Sequence, residues 1–389
     1  MDNKNISTIA EVFHMLANGL ESGSFDQKPK VIITGQGSEH GEENVLAGAM
    51  AAAKNGIDVL YLGTLEAPAD IGVKTIISKS ATEDLEIMED LLNRKEADAA
   101  VAMHYSFPIG VSTIGLVDTP ARGRRMFIAS TTGTSSSDRV EGMVLNAING
   151  IATAKAYGLQ SPTVGILNLD GARQVERILK QLSANGYTIN FCRSVRADGG
   201  SVLRGNDVLL GTPDIMVTDP LTGNVLMKLL SAGNSGGVYE TIGCGYGPGV
   251  GADYGRIINI ISRASGAPLI ARAIEYAARM VSGGLIAQVD AAYKAARKAG
   301  LDKLLSEYKS KFVETKAAVD FVRPEKEIVT AEISGIDVME IENAVIVVMR
   351  SGIYAEGGMG CTGPIIRVSE QNLEAAYQIL VKADFISAN

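Results

Sequence analysis

Short apolar runs alternate with amphipathic stretches through residues 30–219, and this alternation limits the possible folds more than any other feature of the sequence. The first unit reads KVIITG at 30–35, ENVLAGAMAAAKNG at 43–56 and IDVLYLG at 57–63, with helical spacing in the middle segment. Apolar strands that alternate with helices are typical of parallel βαβ units, because parallel strands need a crossover connection. The sequence therefore predicts an α/β fold built on a parallel sheet.

The alternation continues to residue 219, and a different pattern follows it. We expect further strands at 97–104, 125–131, 162–170, 187–192 and 213–219, and helices at 80–96, 138–157 and 172–186. Beyond residue 219 the sequence predicts helices over 256–280 and 289–322, strands at 327–335 and 343–352, and a last helix at 369–385.

Segments with the pattern of strands return after the helical segments, which predicts that the last part of the chain rejoins the first domain. The expected first α/β/α domain comprises residues 1–150 plus 325–389 and carries the GGMGCTGP loop at 357–364. The expected second domain comprises residues 151–324 and contains a helical insertion. Two domains are the default for a chain of 389 residues.

Composition excludes several classes of function. The formal net charge is −8, so the chain lacks the basic surface that nucleic acids or anionic membranes attract. Three cysteines and three histidines without ligand spacing argue against a metal site. The sequence shows no signal peptide and no apolar run of membrane-spanning length, so we expect a cytoplasmic protein with reduced thiols.

One cysteine stands in a glycine-rich segment, GGMGCTGP at 357–364. Converging backbone N–H groups lower a thiol pKa, and Gly360 and Gly363 could offer such groups to a substrate oxyanion, so Cys361 is a candidate acyl-accepting nucleophile. It could equally be a small side chain filling a turn, and the residues alone leave both interpretations open. Cys244 is a rival thiol, and Cys192, on a predicted strand, is expected to be buried.

Two strand-to-helix junctions carry groups suited to an anion. STTGTSSSDR at 130–139 places seven hydroxyls and Arg139 before a helix, which predicts an anion site that includes Ser135 and Ser136; N-capping alone is the alternative. TDPLTGNVLMK at 218–228 ends a strand at Asp219, a candidate cleft residue, and begins a helix. Asn224 and Lys228 share a face of that helix and could hold phosphate, or could simply be solvated.

The glycine stretch GCGYGPGVGADYG at 243–255 does not have the spacing of a dinucleotide-binding loop. We expect Gly245 and Gly247 to line the substrate cleft. A crossing between domains is the alternative interpretation.

Several segments resemble the PlsX family of phosphate acyltransferases of bacterial phospholipid synthesis. They are GQGSEHGEENVLAGAMAAAKNGIDVLYLG at 35–63, EADAAVAMH at 96–104, SPTVGILNLDG at 161–171 and, most specifically, residues 189–232. This family has Asp-Gly where the chain has Asp219-Pro220, and no cysteine in the corresponding glycine turn. A PlsX-like body followed by YAEGGMGCTGPIIRVSEQNLEAA at 354–376 is similar to the small (alpha) subunits of protein C of glycine/sarcosine/betaine reductase complexes.

The resemblance implies two α/β/α domains around a central cleft, as in phosphotransacetylases and isocitrate-dehydrogenase-like folds. It implies an acetyl thioester on Cys361 that phosphate cleaves to acetyl phosphate, with no cofactor and no metal. Asn224 and Lys228 would then hold phosphate or line an acyl-carrier pocket. The implied partners are a ketoacyl-synthase-like beta subunit of protein C and selenoprotein A; a homo-oligomer also stays open.

Two other functions remain open from the sequence. A stand-alone phosphate acyltransferase would exchange acyl groups between phosphate and acyl-CoA or acyl carrier protein, and Cys361 would be a bystander. A scaffold subunit would only hold the ketoacyl-synthase-like partner and would have no activity of its own.

Overall fold

The computed structural model describes residues 28–69, 71–196, 199–316, 323–337, 340–360 and 363–386. Residues 28–316 form the body of the molecule. Its strands are β1 (Lys30–Thr34), β2 (Asp58–Gly63), β3 (Val73–Ile77), β4 (Ala99–Ala102), β5 (Val111–Asp118), β6 (Arg125–Thr134), β7 (Thr163–Leu167), β8 (Asn190–Phe191), β9 (Val202–Leu203), β10 (Ile215–Val217), β11 (Gly247–Val250) and β12 (Ile258–Ile260). Its helices are α1 (Glu42–Lys54), α2 (Ala81–Asn93), α3 (Arg139–Tyr157), α4 (Ala172–Ala184), α5 (Gly205–Leu210), α6 (Pro220–Ala232), α7 (Ala267–Ser282), α8 (Leu285–Lys298) and α9 (Leu301–Lys316).

All twelve body strands join one sheet in the order β3-β2-β1-β4-β12-β11-β5-β6-β10-β7-β8, and β9 also pairs with β7. The outer parts of the sheet are parallel, as the alternating sequence predicts. The central pairs β12/β11, β11/β5 and β5/β6 are antiparallel and connect the two parallel halves. The predicted α/β fold class is confirmed.

Helices cover both faces of the sheet, because successive strand residues point to opposite faces. In β1, Val31 and Ile33 pack in the core that includes α1, α3, α4 and α7, whereas Ile32 packs with Met88 of α2 on the other face. The other face also carries α6, whose Met227 packs against strands β6 and β10. The body is therefore a three-layer α/β/α structure.

Residues 323–386 form a second, smaller unit, which we call the C-terminal unit. Its elements are β13 (Ala331–Ser334), α10 (Ile341–Arg350), β14 (Glu356–Gly360), β15 (Gly363–Val368) and α11 (Leu373–Lys382). Its three strands pair antiparallel in the order β13-β15-β14, and its apolar side chains form a core of their own. Among the described strands, none of these three pairs with the body sheet. The domain boundaries expected near residues 150 and 325 stay a prediction.

Two segments have a different secondary structure from the one that the sequence predicts. Residues 343–352, predicted as a strand from a run of β-branched residues, lie largely in helix α10, where Ala344 and Val348, one turn apart, face the core. Packing of one helical face outweighs the β propensity of the run. Residues 258–260, predicted as helical, form the short strand β12, fully enclosed between β4 and β11.

The body and the C-terminal unit meet at α4, α9 and α10, around an open cavity of about 1080 Å³ that we call the junction cavity. Arg177 of α4 and Glu340, at the start of α10, form an ion pair with Nη2 and Oε2 2.6 Å apart. Burial raises the pKa of Glu340 despite this pairing with Arg177. Within the described ranges, no helix has the length and apolar character required to cross a membrane.

Candidate functional site

Two helices begin side by side at one edge of the body sheet. β6 and β10 are parallel neighbours, with Ala129 opposite Val217, and their carboxyl ends lead into α3 and α6. Asp138 and Asp219 cap the two helices, each accepting a hydrogen bond of 2.8 Å from a backbone N–H in the first turn. Ligands of open α/β sheets bind outside the carboxyl ends of strands, where helix N-termini favour anions.

A cavity of about 420 Å³ lies between these helix starts, and we call it the α3–α6 cavity. It is lined by Thr134, Ser135, Ser136, Asp138, Arg139, Gly142, Met143, Asn146, Asp219, Pro220 and Leu221. The structure thus brings together Ser135, Ser136 and Arg139 from one predicted motif and Asp219 from the other. Adjacent parallel strands explain this meeting, because each motif follows one of the two strands.

Arg139 supplies positive charge to the α3–α6 cavity and is held by two carboxylates. Its Nη2 forms an ion pair with Asp219, and its Nη1 lies 3.4 Å from Asp170 Oδ2. Burial alone would raise the pKa of Asp219, but the backbone N–H of Thr222 and the Arg139 guanidinium outweigh it. The pKa of Asp219 therefore lies below its usual value, and the carboxylate is charged at neutral pH.

The two predicted serines are engaged in local hydrogen bonds. Ser135 is buried and its hydroxyl donates to Asn146 Oδ1 at 2.7 Å, while the Asn146 amide donates to the carbonyl oxygen of Thr218 at 3.0 Å. The Ser136 hydroxyl donates to Glu141. These bonds hold the β6–α3 loop against the end of β10, so they fix the wall of the cavity.

Asn224 and Lys228 lie further along α6 and are not among the described residues that line the α3–α6 cavity. Asn224 donates to the carbonyl oxygen of Thr131 at 3.2 Å. Lys228 Nζ lies 3.2 Å from Oε1 of the buried Glu240 and 3.5 Å from the hydroxyl of Ser262. The charge of Lys228 is therefore compensated within the chain.

Gly245 and Gly247 lie in the centre of the sheet, outside the described lining of the α3–α6 cavity. Both have positive φ, and a Cβ at Gly247 would overlap the carbonyl oxygen of Ile114 in β5. These glycines let the segment that contains β11 approach β5 and β12 closely. Their positions are explained by strand packing.

The described thiols are unsuited to nucleophilic chemistry. Cys192 and Cys244 are both free and buried, and burial raises the pKa of Cys244 to about 12 despite the nearby Arg125. A thiol with so high a pKa stays protonated at neutral pH. Cys361 lies outside the described residues; the flanking Gly360 and Gly363 are paired in register between β14 and β15.

The sequence analysis missed two polar residues of this region: Asp170, which pairs with Arg139, and Asn146, which lines the α3–α6 cavity. Asp170 closes the predicted strand at 162–170, and β7 is the next parallel neighbour of β10, so its position after a strand was the available signal. Asn146 stands two turns inside α3 and gave no signal. Within the part of the chain that the structure describes, no group of His, Cys, Asp and Glu could hold a metal ion.

Comparison with known proteins gives the family. A family model described as fatty acid synthesis protein matches residues 30–367. The alpha subunit of glycine/sarcosine/betaine reductase complex component C from Peptoclostridium acidaminophilum is 49% identical over 381 residues, which cover 97% of this chain and 98% of the relative. The chain belongs to the family of component C alpha subunits.

More distant similarities extend over parts of the chain. A phosphate acyltransferase from Thermus thermophilus is 27% identical over 233 residues, covering 51% of this chain and 70% of the relative. A branched-chain phosphotransacylase from Enterococcus faecalis aligns in three dimensions with 64% of this chain and 98% of its own, at 14% identity and a TM-score of 0.44. A TM-score this low carries no argument about the function of this chain.

Proposed function

We propose that this chain is an acyltransferase that passes an acetyl group from a thioester on Cys361 to inorganic phosphate, as the alpha subunit of component C in a glycine/sarcosine/betaine reductase complex. The observation that carries the proposal is the 49% identity to such a subunit over 97% of the chain. The proposed partners are the beta subunit of component C and selenoprotein A.

The proposed step is a substitution at the thioester carbonyl. A phosphate oxygen attacks the carbonyl carbon, the carbon–sulfur bond breaks, and the Cys361 thiolate leaves with the electron pair. Acetyl phosphate is released and the thiolate is ready for another acetyl group. The backbone N–H groups of Gly360 and Gly363 would stabilise the oxyanion, and one such donor contributes about 10²–10³ in rate. No cofactor and no metal takes part in the proposed step.

We assign phosphate to the α3–α6 cavity. Two helix N-termini and Arg139 favour a dianion there, and Ser135 and Ser136 stand at its wall. Arg139 is already paired with Asp219, so phosphate would exchange with the Asp219 carboxylate for the guanidinium. Asn224 and Lys228 are not among the described residues that line this cavity, so the assignment rests on Arg139 and not on them.

The Cys361→Ser variant tests the nucleophile. We expect it to lower arsenate-dependent hydrolysis of acetyl phosphate by about 10³-fold or more, because a serine hydroxyl is a poor substitute for a thiolate in acyl transfer. The control is Cys244→Ser, which removes a thiol that burial keeps protonated. Mass spectrometry after incubation with acetyl phosphate should find the acetyl group on the peptide that contains Cys361. Full activity of Cys361→Ser would contradict the assignment.

A stand-alone phosphate acyltransferase is the second candidate function, and the similarity to the Thermus thermophilus phosphate acyltransferase favours it. The pure chain would then form acetyl phosphate from acetyl-CoA and phosphate, and Cys361→Ser would keep this activity. If the chain is only a scaffold, it will bind neither phosphate nor acetyl phosphate, which equilibrium dialysis measures.

A further inference from the structure

The junction cavity has polar side chains at one end. Gln174 and Arg177, from the first two turns of α4, and Glu340, at the start of α10, all line it. Burial raises the pKa of Glu340, while Arg177 and Gln174 both act in the opposite direction, so the three side chains are close neighbours. We call these three residues the polar end of the junction cavity.

Two of these side chains carry polar atoms without partners. Gln174 is 3% exposed, and neither atom of its amide group has a hydrogen-bond partner among the described residues. The same holds for Arg177 Nη1, although Nη2 of this guanidinium pairs with Glu340 Oε2. A buried polar group without a partner costs about 1–3 kcal/mol. A ligand that supplies the missing partners offsets this cost.

The charges at the polar end restrict the kind of ligand. Arg177 and Glu340 neutralise each other at 2.6 Å, so a ligand with a net charge would enter without a counter-charge of its own. Arg177 Nη1 and Gln174 Nε2 are free to donate hydrogen bonds. Gln174 Oε1, and the carboxylate oxygen of Glu340 that the ion pair does not use, can accept them. A neutral ligand with a carboxylate next to an ammonium group matches both kinds of atom.

Apolar side chains continue the cavity wall beyond the polar end. Ile178 lies one turn after Gln174 on α4, and Val347 lies two turns after Glu340 on α10. Leu304 of α9 lines the same cavity. Residues three, four or seven apart share a face of a helix, so these side chains lie beside the polar end. The cavity of about 1080 Å³ has ample room there for an apolar group.

We propose that the junction cavity binds a free α-amino acid with an apolar side chain, such as leucine, at its polar end. The carboxylate of the ligand accepts hydrogen bonds from Arg177 and Gln174, and its ammonium group donates to Gln174 and Glu340. Its side chain lies against Ile178 and Val347. This ligand contacts α4 of the body and α10 of the C-terminal unit at once, so it strengthens the junction between them. The binding does not depend on the proposed function, which places phosphate in the other cavity.

Isothermal titration calorimetry of the full chain with four probes tests the class of ligand. We expect L-leucine to bind with a Kd below about 1 mM. 4-Methylpentanoate lacks only the ammonium group and 3-methylbutylamine lacks only the carboxylate; each should bind about 10-fold more weakly or worse, because it leaves polar atoms unpaired and brings a net charge. Glycine should also bind about 10-fold more weakly or worse, because it has no side chain for the apolar wall. No binding of leucine, or equal binding of leucine and any other probe, would overturn the proposal.

The Gln174→Leu variant gives a second measurement. We expect its free energy of unfolding in urea to be unchanged or raised, because an unpartnered amide is removed, while the Kd for leucine rises about 10-fold. The control is Gln181→Leu, since Gln181 is exposed, lines the same cavity and already donates to Asn185. It should leave the Kd unchanged. A folded Gln174→Leu chain that binds leucine as tightly as the unchanged chain would contradict the proposal, and the four probes decide the matter if this variant does not fold.

Discussion

Arg139 is the residue on which the proposed phosphate site depends. It is paired with Asp219 from a different helix and lies near Asp170 from a third strand end, so three segments converge on one guanidinium. A planar guanidinium suits phosphate and carboxylate alike.

Replacing Arg139 should weaken phosphate binding. For Arg139→Gln we expect the KM for phosphate to rise about 10- to 100-fold, since a charge-assisted hydrogen bond to the dianion is lost. Steady-state kinetics measures this rise. Arg173→Gln is the control, because Arg173 pairs with Glu176 and does not line the cavity. An equal rise in both variants would argue against the assignment.

Asp219 should also contribute to stability in a way that depends on pH. Its pKa is lowered in the folded chain, so its contribution is present above the pKa of the unfolded chain, about 3.9, and is lost as the pH falls through the lower folded value. Asp219→Asn keeps a cap acceptor but loses the charge; Asp219→Ala should cost about 1 kcal/mol more because it loses the cap as well. Urea unfolding at neutral and acid pH measures both. A stability difference between the unchanged chain and Asp219→Asn that persists unchanged in acid would contradict the charge argument.

At the scale of elements, α6 is held closer to the sheet than a helix with side chains throughout could be. Gly223 faces the carbonyl oxygen of Ser130, within β6, without a Cβ between them. This close approach sets where the start of α6 stands relative to α3. The geometry of the α3–α6 cavity therefore depends on a residue that does not line it.

Gly223→Ala should destabilise the body by about 1–3 kcal/mol, because the new methyl group overlaps backbone that cannot move away freely. Gly233→Ala is the matched control, since Gly233 has helical dihedral angles and open space at its Cβ position. That change should be neutral or slightly stabilising. Urea denaturation compares the free energies of unfolding, and equal effects at both sites would refute the packing argument.

Sequence patterns predicted the α/β alternation because most strands are enclosed on both faces and read as apolar runs. β3 and β5 were missed: β3 is only partly buried, and β5 contains hydroxyls and a glycine. α10 was predicted as a strand since its β-branched run has no periodicity until a core selects one face. In the site, motifs that follow neighbouring strands could be predicted to meet. The pairing of Lys228 with Glu240 could not, because it depends on how the chain after α6 turns back.

At the scale of the whole molecule, the C-terminal unit meets the body at a partly buried ion pair. Arg177→Met should loosen this junction, because it leaves the Glu340 carboxylate without its partner. We expect faster hydrogen exchange at the amides of α10 and little change in the body sheet. Lys303→Met, an exposed residue that lines the same junction cavity, is the control and should leave α10 unchanged. Identical exchange in both variants would show that the pair does not hold the junction.

The antiparallel strands in the middle of the sheet have a mechanical consequence. Backbone hydrogen bonds join neighbouring strands without interruption from β3 to β8. The two halves of the body therefore cannot move apart without breaking main-chain hydrogen bonds. The segment that bears Cys361 is joined to a unit with its own sheet and core. Under the proposed function, movement of the acetyl group from Cys361 towards the α3–α6 cavity would therefore be left to that small unit, because the body sheet is continuous.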